Sequence, residues 1–309
     1  MRTLICLTLA CLLITCSLFT SAPANNSTSG NYAESNQAEQ TIWMGRSGGY
    51  ALRWSTAEIS ARSAKTSTDV RFSSKAITQK EFDEFKAVMT DPQAPSETHC
   101  TYERTFTLLS VVGSLVSVRD NYYASCALEA HPAGETRLLA FDLARPGAVA
   151  YKEEMNTDLA NPGKVVKLTD FFPEADIVQA LLADPFVRKN MLNPETKSPP
   201  KDLKEFLDSL AINTSEKVCL SIADDWLTRF AFHHVENGKV AVRLGFSGLG
   251  PCRENLTELG LLLPIPPTLK TSLALAADAK EGFLMTDLKR IAGGKVTKMV
   301  FNIGKGAQH

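Results

Sequence analysis

A few groupings in the chain carry residue types suited to chemistry. Gly45-Arg46-Ser47-Gly48-Gly49 satisfies G-x-S-x-G, the spacing that presents a nucleophilic serine when a strand leads into it and a helix leads out. The next residues, Tyr50-Ala51-Leu52-Arg53-Trp54, alternate apolar and polar as a half-buried strand does. The segment therefore reads as a glycine-rich turn, and Ser47 is the nucleophile only of an alternative reading, an exported hydrolase. His233-His234 are neighbours on an expected strand, where successive side chains point to opposite faces, so they are not expected to share a metal. Asp224-Asp225 lies between two strands, where turn formation is the commoner use of such residues. His131 is different, because it sits at a strand end with Glu129, Glu135 and Arg137 around it.

The segment 129–137 joins two expected core strands, and Pro132 and Gly134 hold it out of regular structure. Its charges are of both signs, and the alternative reading, an exported hydrolase, would use Ser47 or an unrecognised acid–base pair. Glu129, His131, Glu135 and Arg137 are thus the expected ligand-binding residues, and no catalytic residue is assigned. H-E-x-x-H, the P-loop and the dinucleotide fingerprint do not occur, so neither a metal nor a cofactor is expected. The formal net charge of −1 gives no electrostatic footprint for nucleic acid.

Residues 1–24 have the three parts of a cleavable secretory signal: Arg2, an apolar run over 4–19, and the small residues Thr20-Ser21-Ala22-Pro23-Ala24. The run is shorter than the ~20 apolar residues a spanning helix needs. The expectation is an exported protein, periplasmic or secreted, with no integral membrane segment once the leader is cleaved. Residues 25–41 have little to bury and read as a disordered spacer.

Cys6, Cys11 and Cys16 fall inside the leader, which leaves Cys100, Cys126, Cys219 and Cys252. An even set in an exported chain favours disulfides. Apolar alternation over 106–112 and 116–122 reverses near Gly113-Ser114, and folding there sets Cys100 opposite Cys126. Cys219 and Cys252 flank the final hairpin, where Pro251 turns the chain back, and are expected to form the second bridge.

A helix is expected over 79–89, capped by Thr78 with Glu81 in the reciprocal position, and others over the segments containing Ile177, Leu181 and Leu182 and containing Leu203, Phe206, Leu207 and Leu210. In the hairpin of 227–246, matching faces pairs Phe232 with Val242 and Phe230 with Leu244, and the expected connection is a three-residue Glu236-Asn237-Gly238 loop. A further helix is expected over 268–279 and an edge strand over 295–303. Strands and helices are grouped rather than alternating, so the fold class is α+β, with antiparallel sheets, helices packed on one side, and disulfide staples. The expected portions are an N-terminal α+β part over 42–95 and a larger α+β domain over 96–309.

Ala130-His131-Pro132, then Phe141-Asp142-Leu143, then Val166-Lys167-Leu168-Thr169-Asp170-Phe171-Phe172 before a helix, then the 230–246 hairpin and Leu263-Pro264-Ile265-Pro266 form one ordered series. The series resembles the exported domain of RsiV-like, lysozyme-sensing anti-sigma factor ectodomains, also attached to some peptidoglycan deacetylases. Leu128-Glu129 stand where that family has two glycines. The resemblance implies a non-catalytic cell-envelope protein. Its partner would be an envelope or extracellular protein, lysozyme among them, or a peptidoglycan fragment.

Overall fold

The computed structural model describes residues 39–66, 69–89, 99–126, 133–145, 160–161, 164–196, 198–210, 220–221, 225–248 and 257–303. The chain opens with a meander of β1 (Thr41–Ser47), β2 (Tyr50–Ser55), β3 (Ile59–Ser63) and β4 (Asp69–Phe72), followed by α1 (Ser74–Met89). Three long strands come next: β5 (Cys100–Val112), β6 (Leu115–Cys126) and β7 (Ala133–Asp142). The short strand β8 (Ala160–Asn161) pairs with β4, and β9 (Lys164–Val165) pairs with β7. Helices α2 (Glu174–Ala183) and α3 (Leu203–Asp208) precede β10 (Leu220–Ser221), β11 (Phe230–Glu236), β12 (Lys239–Gly248) and β13 (Thr257–Pro264). The described chain ends with α4 (Lys270–Ala277), α5 (Leu288–Ala292) and β14 (Thr297–Ile303).

These strands make three antiparallel sheets, and the class is α+β. The central sheet has the order β14-β5-β6-β7-β9. Period-two alternation along β5 and β6 gives one face Phe106, Leu108, Val116 and Val118, and there Leu52, Trp54, Ile59, Val70 and Phe72 of the meander pack on it. Further along the same face α1 covers Tyr102, Ala124 and the cysteines with Phe82. The opposite face meets β11, where Leu109 and Leu138 enclose Ala231. Helices α2, α3 and α4 then cover the outer face of β11–β13, burying Phe230, Phe232, Val242, Leu244 and Leu261. The described residues of the 42–95 portion therefore share a core with the central sheet. Among the described residues no helix is long and apolar enough to cross a membrane.

Several local expectations shift by identifiable forces. Helix α1 starts five residues before the expected 79, because Ser73 caps it: its Oγ accepts the Ala76 N–H at 3.2 Å. Thr78 lies inside the helix instead, donating to the Ser74 carbonyl at 2.8 Å. Asp202 caps α3 by accepting from the Glu205 N–H at 2.7 Å, and Leu207 points outward, 40% exposed. The hairpin registers Phe232↔Val242 and Phe230↔Leu244 occur as expected. Its turn is the two-residue Asn237-Gly238, both left-handed at φ 50° and 72°, and the odd residue is taken up by a bulge between Phe232 and His234. The edge strand at the C-terminus is β14, bonded to β5.

Candidate functional site

The hairpin β5–β6 and its neighbour β7 fix the register of every charged group at one end of the central sheet. Cys100 stands opposite Cys126 and is bonded to it. Two residues further along each strand on the same face come Tyr102 and Ala124, then Arg104 and Tyr122, then Phe106 and Asp120. On β7, Glu135 is opposite Tyr122 and Arg137 opposite Asp120. Pleating therefore brings Arg104, Asp120, Tyr122, Glu135 and Arg137 onto one face, beside the apolar core, with Glu81 of α1 reaching Arg104.

Arg104 is the hub. Its Nε donates to Asp120 Oδ1 at 2.8 Å and its Nη2 to Oδ2 at 2.7 Å, a planar fork meeting a carboxylate. Its Nη1 pairs with Glu81 from α1, whose Oε2 also accepts from the Tyr102 hydroxyl at 3.2 Å. The Phe106 ring lies 5.1 Å from the guanidinium carbon. Arg137 pairs with Glu135, and Arg229 reaches the same carboxylate at 3.8 Å while holding Asp225 at 2.9 Å. Asp225 thus stabilises the short helical turn Trp226–Thr228 and anchors an arginine.

Burial pushes the Tyr102 phenol well above its ordinary range, with Glu81 and Asp120 adding to the rise against Arg104. Burial also raises Tyr122, with Glu135 contributing next. Tyr102 is a neutral donor to Glu81, and each carboxylate in the group already faces a guanidinium. Such an arrangement holds its charges in fixed, mutually paired positions.

Of the four expected ligand-binding residues, the structure brings Glu135 and Arg137 together on this face. They belong to strand β7 and not to an irregular connection, because pairing with β6 continues to Ala124↔Ala133 and carries Gly134 into the ladder opposite Tyr123. Glu129 and His131 lie outside the described residues, as do Asp224 and the Cys219–Cys252 pair. Glu81, Tyr102, Arg104, Asp120 and Tyr122 were missed by reading charge only where loops were expected. The signal was present: Arg104 and Asp120 occupy the same alternation positions as Phe106, Leu108, Val116 and Val118, so they had to be buried and paired.

Ser47 is 1% exposed, and its Oγ finds no hydrogen-bond partner among the described residues. Gly48 and Gly49, at φ 57° and 83°, turn β1 directly into β2, so the nucleophile pattern sits in strand–turn–strand geometry. The two histidines differ from expectation. The β11 bulge breaks the alternation, and His233 Nδ1 lies 2.6 Å from His234 Nδ1. Burial lowers the His233 pKa, with Arg243 and then His234 contributing in the same direction. Among the described residues no group of three or more His, Cys, Asp and Glu converges to hold a metal.

A scan against protein-family models finds no match to the chain, and a search of the curated proteins finds none either.

Proposed function

We propose that the chain is a non-catalytic, exported cell-envelope protein that binds a protein, lysozyme among the candidates, or a peptidoglycan fragment through the surface around the start of β7. The observation that carries this reading is the placement of Glu135 and Arg137. They sit side by side on a strand whose partner β6 is itself anchored by the disulfide and by the Arg104–Asp120 pair. A site built on a sheet holds its charges in fixed positions at little entropic cost, which is what a recognition surface requires. The adjoining connection carries Glu129 and His131. The ordered motifs shared with the lysozyme-sensing ectodomains support the same reading, and a basic protein partner would be complementary to Glu129 and Glu135.

The test is capture of lysozyme and of solubilised peptidoglycan by the purified protein, each at low and high salt. Binding to either, weakened by salt and by a Glu135→Ala, Arg137→Ala variant that keeps its circular dichroism, is the expected result. Unchanged affinity in that variant removes the β7 surface from the account, and capture of neither ligand removes the proposed partners.

A further inference from the structure

We propose that His233 and His234 form a two-imidazole site for a borderline transition-metal cation, zinc(II) or copper(II), at the bulge of β11. In a regular strand the pair would point to opposite faces. Here the register advances from Phe232↔Val242 to His234↔Ala241, so His233 is the extra residue of the bulge, and both rings turn toward one point. Their centroids are 4.9 Å apart at 75°, and the Nδ1 atoms are separated by 2.6 Å. The Thr286 hydroxyl donates to the His233 carbonyl at 3.1 Å and fixes the bulged backbone from a neighbouring segment.

Two ring nitrogens at that distance share one proton. A cation with metal–nitrogen bonds of about 2.0–2.1 Å and tetrahedral angles sets them about 3.3 Å apart, so the rings open by roughly 0.7 Å, within the reach of χ rotations. Binding therefore displaces a single proton: the Nδ1–H bond breaks, two metal–nitrogen bonds form, and the proton leaves to solvent.

Glu236 places a carboxylate beside the site: its Oε2 is 3.6 Å from His234 Nε2, within ion-pair range of the ring. Glu258 from β13 also faces His233, against Arg243 from β12, and Glu258 is itself paired with Arg119 from β6. The surrounding formal charges balance, so selectivity comes from the nitrogen donors and not from bulk charge. That ranks copper(II) above zinc(II) and leaves magnesium and calcium unbound. The His234 side chain is 36% exposed, which admits a hydrated ion and leaves its remaining positions to water.

The experiment titrates the chelator-treated full chain with zinc(II), copper(II) and magnesium(II) by calorimetry, and records the electron paramagnetic resonance spectrum of the copper form. The expected result is one equivalent of zinc or copper, a copper signal with nitrogen coupling, and no response to magnesium. Glu236→Gln should weaken binding about tenfold. The His233→Ala, His234→Ala variant should lose the equivalent, while His99→Ala, His131→Ala should retain it. Binding that survives the first variant, or is lost in the second, overturns the assignment, as does the absence of any stoichiometric binding. Should the first variant unfold, the imidazole C2–H resonances of the unmodified chain decide the matter: zinc must shift those of His233 and His234, and unmoved signals overturn the proposal.

Discussion

Arg104 and Asp120 meet fork to carboxylate inside the central sheet, 1% and 2% exposed, with Nη2 and Oδ2 2.7 Å apart. Removing one member strands a charge in a low-dielectric setting. Asp120→Ala should cost about 3–5 kcal/mol, whereas Arg104→Leu combined with Asp120→Leu should cost less than the single change. Urea midpoints at constant m-value measure both. A single variant within about 1 kcal/mol of the parent would show that Glu81 alone satisfies the guanidinium.

The Cys100–Cys126 bridge closes the β5–β6 hairpin across 26 residues. Its removal by Cys126→Ala with Cys100→Ala should lower stability by about 2–4 kcal/mol, chiefly by freeing the unfolded chain. Non-reducing peptide mapping should recover Cys100 linked to Cys126, with Cys219 linked to Cys252. Cross-linked combinations of the two pairs, or free thiols, would refute the pairing.

Tyr102 links alkaline pH to stability. Its folded-state pKa is raised above the ordinary 10.0, chiefly by burial, so above pH 10 the unfolded chain loses a proton that the folded chain keeps. Its contribution is fully present below pH 10 and is lost as pH rises beyond it. Urea midpoints between pH 8 and 11 should fall more steeply for the parent than for Tyr102→Phe. Parallel slopes would show that the phenol ionises as freely in the fold as out of it.

Ser47 offers a test of the hydrolase alternative. With no partner for its buried hydroxyl among the described residues, Ser47→Ala should be neutral or stabilising by up to about 1 kcal/mol. An organophosphonate serine probe should leave the residue unlabelled. Stoichiometric labelling of Ser47 would make the hydrolase the better account.

Pairing faces was legible in the sequence because burial leaves a two-residue period, and that period set Phe230 and Phe232 against Leu244 and Val242 correctly. The bulge at His233 was not legible, since a three-residue loop and a two-residue turn with a bulge give the same pairing of those four residues. The reversal at Gly113, a local event, brought Cys100 near Cys126, and the bulge between Leu108 and Ser110, which alternation does not show, sets them directly opposite. The α1 cap was misplaced because Ser73 and Thr78 are both capping types, and the Ala57 carbonyl of the meander, which accepts from the Ser74 hydroxyl at 2.7 Å and the Lys75 N–H at 3.0 Å, favours the earlier start. In the candidate site, Arg104 and Asp120 were readable from their alternation positions, whereas Glu81 joins them only because a helix crosses the sheet.

Thr297 donates its hydroxyl to the Ser55 carbonyl at 2.7 Å and accepts the Trp54 indole N–H at 3.1 Å, contacts that span more than two hundred residues of chain. The strand that carries it, β14, also closes the β5 edge. The earliest and latest parts of the described chain therefore complete one another, and the core beneath Trp54 stays unfinished until β14 has emerged from synthesis. Such long-range closure makes for slow assembly and for an exposed strand edge in every shorter nascent chain. A chain ending before Thr297 keeps both liabilities permanently.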